Sequence, residues 1–298
     1  VSKDRERTVL ITGGTGGLGY ETARALLAEP DQRVIITGRS AAGVGETAAR
    51  LGDRADGRVL DLGSLAAVRR FVADLPPLNA IVANAGLVGF TGLRLTRDGI
   101  EETFGVNHLG HFLLIREALP RMPAGSRVVF VTSATHDPAQ RTGFPPPVYD
   151  TAERLAYPEG EEDPDPLRAG RRRYTTSKLC NLLACYEFAR RTPVAQVTFN
   201  AFDPGQMPGT GLARDFRGIR SFVWHRVMPA LTLIPGINRN TPRRSGAALA
   251  RLVTDPGLGS VTGRYFTGDR ETESSADSYD EAKAADLWRT SVALTAGH

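Results

Sequence analysis

Short, uninterrupted apolar runs recur along the chain, and each is followed by a stretch whose apolar positions fall at helical spacing. The runs Thr8–Thr12 (TVLIT), Arg33–Thr37 (RVIIT), Asn79–Ala83, Arg127–Thr132 (RVVFVT) and Gln196–Phe202 are short and rich in β-branched residues, so they read as strands. Arg58–Leu60 and Gly263–Phe266 read as shorter ones. Helical patterns cover Tyr20–Ala28, Ala41–Leu51, a segment capped by Ser64 and running to Asp74, Asp98–Leu119, Tyr174–Arg191, Thr241–Val253 and Tyr279–Leu294. Strands that are apolar throughout, rather than at alternate positions, are buried on both faces. Their alternation with helices predicts a doubly wound α/β fold with a mostly parallel sheet, in a single domain over residues 1–298.

Two segments break the rhythm, and both follow the carboxyl end of a strand, where open α/β sheets bind ligands. Residues 134–173 carry seven prolines and eight acidic residues. So long a connection inside a compact fold is usually functional or partly disordered. Its prolines disfavour a continuous helix, so it is expected to fold over the ligand crevice as a wall. Residues 205–240 combine glycine, arginine and aromatics. The apolar stretch Ser221–Met228, with Leu231, Leu233 and Ile234, reads as a substrate lid or as ordinary core. Arg214, Arg217, Arg220 and Arg226 beside it read as a solvated face, a membrane-surface helix or a site for an acidic carrier-bound substrate.

Composition narrows the picture. Hydrophobic residues make up 41% and charged residues 23% of 298, which excludes disorder, collagen and coiled coil. A net charge of +4 with both signs interspersed is too weak to predict a nucleic-acid partner. Cys180 and Cys185, five apart on one predicted helix, point to different faces and cannot pair with each other. No metal-ligand spacing occurs, and a reducing, cytoplasmic compartment is expected. No apolar run reaches the roughly 18 residues a membrane-spanning helix needs, and the charged N-terminus predicts no signal peptide.

Candidate chemistry sits at two places. Thr12-Gly13-Gly14-Thr15-Gly16-Gly17-Leu18-Gly19 joins the first strand to the first helix. Glycines there permit a tight turn and let a pyrophosphate approach the free N–H groups of the helix N-terminus. An NAD-type site would place a carboxylate at the end of the second strand, for the ribose 2′-hydroxyl. This chain has Arg39, which can pair with a 2′-phosphate, so NADP(H) is the expected cofactor. The second place is Tyr174 and Lys178, at i and i+4 on one helical face. With three lysines in the whole chain, chance rarely produces that pair. An ammonium beside the phenol is expected to lower its pKa toward neutrality, so that it gives or takes a proton while hydride moves. Ser133, just past the fifth strand, can hydrogen-bond the same substrate oxygen.

Taken together these motifs resemble the short-chain dehydrogenase/reductase family, from Thr8 to about Leu294. The resemblance implies a Rossmann-type sheet and the T-G-x-x-x-G-x-G turn at Thr12 to Gly19. It implies an adenine-contacting acid at Asp61 followed by Leu62, and an N-N-A-G segment at Ala83-Asn84-Ala85-Gly86 with its first Asn replaced. It implies a helix asparagine at Asn107, holding a water that relays protons through Lys178. Ser133 would orient the carbonyl or alcohol, Tyr174 would act as general acid/base, and Lys178 would bind the nicotinamide ribose. Pro204-Gly205 with backbone near Met207 would hold the carboxamide. The family's threonine five residues after that proline is Gly209 here, with Thr210 next. The NHLGHF segment, Ser177-Lys178-Leu179-Cys180-Asn181 and the long insertion are most similar to retinol dehydrogenase-like and protochlorophyllide reductase-like members. Protochlorophyllide enzymes carry cysteine directly after the Pro-Gly, where this chain has Gln206.

The resemblance thus implies an NADPH-dependent oxidoreductase interconverting a carbonyl and an alcohol on a bulky, mostly apolar small molecule, with a homo-oligomer expected as an option. Reduction of a conjugated C=C bond, and a dinucleotide-binding sensor without turnover, are the alternatives.

Overall fold

The computed structural model describes residues 6–89, 92–160, 164–205 and 241–297. Eight strands form one sheet: β1 (Arg7–Ile11), β2 (Gln32–Gly38), β3 (Ala55–Val59), β4 (Ala80–Ala83), β5 (Ser126–Val131), β6 (Val197–Asp203), β7 (Arg264–Thr267) and β8 (Arg270–Thr272). Their order is β3-β2-β1-β4-β5-β6-β7-β8, parallel except for the antiparallel β7–β8 pair. This is the predicted Rossmann-like architecture. Helices α1 (Gly17–Leu26), α2 (Ala41–Leu51) and α3 (Leu65–Ala73) connect the first strands. A short turn α4 (Glu102–Phe104), a π-helical turn (Gly105–Leu109) and α5 (Gly110–Ala118) follow β4. Then come α6 (Ala152–Ala156), α7 (Pro166–Arg191), α8 (Pro242–Thr254) and α9 (Glu281–Ala296).

The all-apolar strands have a direct cause. Val9 and Ile11 of β1 pack into one buried cluster and Leu10, between them, into another on the opposite face. Val34 and Ile36 against Ile35 in β2, and Val129 and Val131 against Val128 and Phe130 in β5, divide the same way. With both faces covered, alternate positions cannot be polar.

Four elements depart from the pattern read above. β3 starts at Ala55, three residues early, because it is an edge strand whose Asp56 and Gly57 need no apolar partner. β8 is three exposed polar residues paired only with β7, and carries no apolar signal. The predicted helix over Asp98–Leu119 begins only at Glu102, where Glu101 caps it by accepting from the N–H groups of Thr103 and Phe104, and it contains the π turn. Finally, α7 starts eight residues before Tyr174. Asp165 accepts from the Leu167 N–H at 3.0 Å and Pro166 takes the first helical position, where a missing N–H costs nothing. The last eight residues of the presumed loop 134–173 are therefore helix, and α6 interrupts the rest.

Candidate active site

The predicted site residues among the described ones gather at the carboxyl ends of the parallel strands. The glycine turn follows β1, Arg39 follows β2, Asp61 and Leu62 follow β3, Asn84-Ala85-Gly86 follows β4, Ser133 follows β5 and Pro204-Gly205 follows β6. Asn107 lies on the π turn, and Tyr174 and Lys178 lie on α7. Met207, Thr210 and the apolar and arginine-rich stretch through residue 240 lie outside the described residues.

The glycine turn is built by close approach. Gly13 has φ +66° and Gly17 φ +54°, a region open to glycine at little cost. A Cβ on Gly14 would lie 2.7 Å from Ile36, and one on Gly19 2.6 Å from the carbonyl of Gly13. A Cβ on Gly16 would meet nothing within 4 Å, so that side of the turn is open. Thr15 packs against Gly38 and Leu18 is buried in the core beneath. Gly16 starts α1 with no side-chain cap, and no acidic residue lies in the first turn. Open glycine backbone, uncapped helical N–H groups and no competing carboxylate are what a pyrophosphate requires, so these residues fit a dinucleotide.

The rest of the turn is stitched to β4. Asn84 Nδ2 donates to the carbonyls of Thr12 at 2.8 Å and Gly13 at 3.1 Å. Thr12 Oγ1 accepts from the N–H groups of both Asn84 and Ala85 at 2.9 Å. Arg39 is exposed and lines a cleft of about 760 Å³ with Arg58, Asp61, Arg70 and Arg97. Asp61 accepts from the N–H of Gly63 at 3.0 Å, and its other oxygen lies 3.9 Å from Arg97.

The second half is dry. Tyr174, Lys178 and Asn107 are 6%, 4% and 0% exposed. Lys178 Nζ lies over the Tyr174 ring, 5.5 Å from its centroid, and donates to the carbonyl of Val131 at 3.2 Å. Thr132 Oγ1 donates to the carbonyl of Lys178 at 2.9 Å, fastening α7 to the end of β5. A Cβ on Gly86 would lie 3.4 Å from Asn107 Oδ1 and 3.5 Å from Lys178 Nζ, so the loop after β4 abuts both. Asn107 Oδ1 accepts from the Leu87 N–H at 2.8 Å, while Nδ2 donates to the Leu87 carbonyl at 2.9 Å and to Ser177 Oγ at 3.0 Å.

Electrostatics in this half differ from the expectation. Burial pushes the Tyr174 phenol up rather than toward neutrality; a hydrogen bond with Ser133 opposes that, and the charge of Asp203 adds to it. Burial brings the Lys178 ammonium down to about 8, against the pull of Asp203. Desolvation dominates at both groups, because a phenolate or an ammonium removed from water loses its hydration.

Three buried groups here went unmarked in the sequence. Asp203, 2% exposed at the end of β6, accepts from the Gly205 N–H at 2.9 Å and from the Tyr265 hydroxyl at 3.3 Å, and burial raises its pKa. His111 Nδ1 meets the Asn107 carbonyl at 3.0 Å and its Nε2 meets Thr12 Oγ1 at 2.8 Å. His136 Nδ1 meets the Ser133 carbonyl at 2.7 Å and its Nε2 meets the Ser275 N–H at 3.1 Å. Their spacing, four after Asn107 and three after Ser133, was the available signal.

Both the sequence and the fold resemble those of known proteins. Residues 7–144 match the short chain dehydrogenase family. Retinol dehydrogenase 14 of Mus musculus is 32% identical over 97% of this chain and 85% of its own length. Protochlorophyllide reductase B of Oryza sativa subsp. japonica is 30% identical over 97% of this chain and 77% of its own. A crystal structure of a protein from Mycobacterium paratuberculosis superposes with a TM-score of 0.73 at 28% identity, covering 97% of this chain and 93% of that one. The chain belongs to the short-chain dehydrogenase/reductase family, whose members are oxidoreductases that bind a nicotinamide dinucleotide. Among the described residues no helix is long and apolar enough to cross a membrane.

Proposed function

We propose that the protein is an NADPH-dependent reductase of a carbonyl on a bulky, mostly apolar small molecule. The observation that carries the reading is the buried pair of Tyr174 and Lys178 beside Ser133, at the same strand ends as the open glycine turn. Gly13 to Gly19 and the N-terminus of α1 would hold the pyrophosphate, Arg39 the 2′-phosphate, Asp61 and Leu62 the adenine, and Lys178 the nicotinamide ribose. Asn84, Ala85, Gly86, Pro204 and Gly205 would complete the cradle. When bound, the cofactor supplies hydride to the carbonyl carbon.

The chain supplies the proton. A phenol kept protonated by burial is the form that donates, so Tyr174 gives its proton to the carbonyl oxygen as that oxygen gains charge. Ser133 Oγ accepts from the Thr135 N–H at 3.3 Å and hydrogen-bonds the Tyr174 phenol, and its proton would turn from the phenol to the same oxygen once substrate is bound. Lys178, whose ammonium releases a proton near pH 8, restores the phenol through a water held at Asn107.

The apolar Phe144 face beside Tyr174 supports a large substrate. The Phe144 ring lies 5.7 Å from that of Tyr174. The segment bearing it is tied to α7 by paired hydrogen bonds between Val148 and Thr176, at 3.0 and 3.2 Å. It is tied to α9 by Asp286, which accepts from the Tyr149 hydroxyl and the Ala152 N–H, both at 2.9 Å. The names of the two relatives, for retinol and protochlorophyllide, point the same way. The protochlorophyllide relative also favours reduction of a conjugated C=C bond as the second reading. Incubation with NADPH and an α,β-unsaturated long-chain aldehyde, with product identification, tests both: an allylic alcohol supports the first, a saturated aldehyde the second, and no NADPH oxidation with any carbonyl overturns both.

A further inference from the structure

Two histidines outside the proton-transfer set bind its backbone in the same way, and their hydrogen bonds decide their tautomers. At His136, the Ser133 carbonyl can only accept and the Ser275 N–H can only donate, so Nδ1 carries the proton and Nε2 is bare. At His111, the Asn107 carbonyl again can only accept, so Nδ1 carries the proton. Thr12 Oγ1 already accepts from the N–H groups of Asn84 and Ala85, so its own proton goes to His111 Nε2 at 2.8 Å in preference to the Val82 carbonyl at 3.4 Å. The opposite tautomer would turn bare nitrogens onto two carbonyl oxygens.

We propose that His136 and His111 are positioning residues: each, as the neutral Nδ1–H tautomer, clamps the main-chain carbonyl of a site residue to a distant part of the fold. His136 fastens Ser133 to the segment before α9, 139 positions along the chain, and its ring is held edge-on by Tyr265 at 5.3 Å. His111, 99 positions after Thr12, fastens Asn107 to it, so one ring connects the π turn with the start of the glycine turn. Both carbonyls sit where the regular hydrogen-bond pattern of the chain changes. Ser133 is extended, with φ −163°, between the end of β5 and a single turn of 3₁₀ helix, and Asn107 is in a π turn. Burial makes the neutral form the stable one at both rings, bringing His111 to about 4 and lowering His136. A serine hydroxyl displaced by a fraction of an ångström loses its aim at the reacting oxygen while the cofactor cradle is untouched.

The inference rests on Asn107, Ser133, Tyr174 and Lys178 being the proton-transfer set, and its test has one arm independent of that. Nitrogen NMR of the full chain, labelled in its five histidines and assigned by single substitutions, should show His136 and His111 as neutral Nδ1–H tautomers at neutral pH. Protonation at Nε2 in either ring overturns the proposal whatever the enzyme does. In the kinetic arm, NADPH-linked reduction of para-nitrobenzaldehyde is followed. His136→Leu should lower kcat about tenfold with KM for NADPH within about twofold, and His136→Asn, whose amide sits where Nδ1 did, should recover most of the loss. A Leu variant with unchanged kcat, or an Asn variant as slow as Leu, overturns it. Full turnover by Tyr174→Phe would instead remove the reading of the set, leaving the tautomers to stand on the NMR.

Discussion

The two ends of the ligand crevice hold their charges in opposite surroundings. At the β3–β2–β1 end Arg39 is exposed, and Arg97 and Asp61 face each other across 3.9 Å with side chains 81% and 37% exposed. Water and salt screen such groups, so each contributes modestly and acts on affinity. At the β5–β6 end Lys178, Asp203, Asn107 and His111 are all nearly or fully buried, and each is held by directed hydrogen bonds. A change there removes an aimed partner from a low-dielectric site, and its cost is larger. The wet end is suited to choosing a cofactor, the dry end to moving a proton.

Substitution at the dry end should give the largest effect. Tyr174→Phe should lower turnover about 10²–10⁴-fold, or about 2.7–5.4 kcal/mol of barrier, with NADPH affinity nearly unchanged. Stopped-flow reduction and cofactor titration measure the two separately; a loss shared equally between them would erase the distinction between the ends.

Acid should act on the same end through stability. A histidine has a pKa near 6.5 when unfolded, and burial brings His111 to about 4 and His108 to about 3. Between those values the unfolded chain binds more protons than the folded one, so stability is full above pH 6.5 and falls as pH drops through the window. His111 alone accounts for about 3 kcal/mol of that fall. Tm measured from pH 7 to 4 should decline steeply, and His111→Asn should flatten the decline. An unchanged Tm across that range would show that these rings take up protons as readily in the folded chain as in the unfolded one.

At the wet end, Arg39→Ala should weaken NADPH about 10- to 150-fold and leave NADH within error, because only the 2′-phosphate loses its charge-assisted partner. That penalty should shrink as salt rises, whereas the Tyr174 effect should not. Equal losses for both cofactors would make Arg39 structural. The smallest effect is expected at Phe144, in the proposed substrate wall. Phe144→Ala should raise KM for a long-chain aldehyde about three- to tenfold and leave a short one unaffected. A variant treating both aldehydes alike would mean that Phe144 supports Tyr174 rather than substrate.

What could be read in the chain, and what could not, follows the range of each interaction. The glycine turn, the Tyr174–Lys178 pair and the central strands are local patterns, each specified within a few residues. β8 and the start of β3 are edge segments with polar residues, where burial leaves no imprint. The early start of α7 depended on one cap, Asp165, inside a proline-rich stretch that argues for loop. The phenol's raised pKa reflects its burial, which the local motif does not encode. The histidine clamps join residues 99 and 139 positions apart, so no window of sequence contains both partners.

The two cysteines have a practical consequence. Cys180 and Cys185 are the chain's only thiols; both are unpaired and fully buried, and burial pushes both thiols far above the range where thiolate forms at neutral pH. The native protein is therefore silent toward maleimides without any engineering. A single cysteine placed at Val148, which is half exposed and hydrogen-bonded through its backbone alone to Thr176, would take one fluorophore at one address. Such a probe would report from beside Tyr174 on whatever the crevice admits.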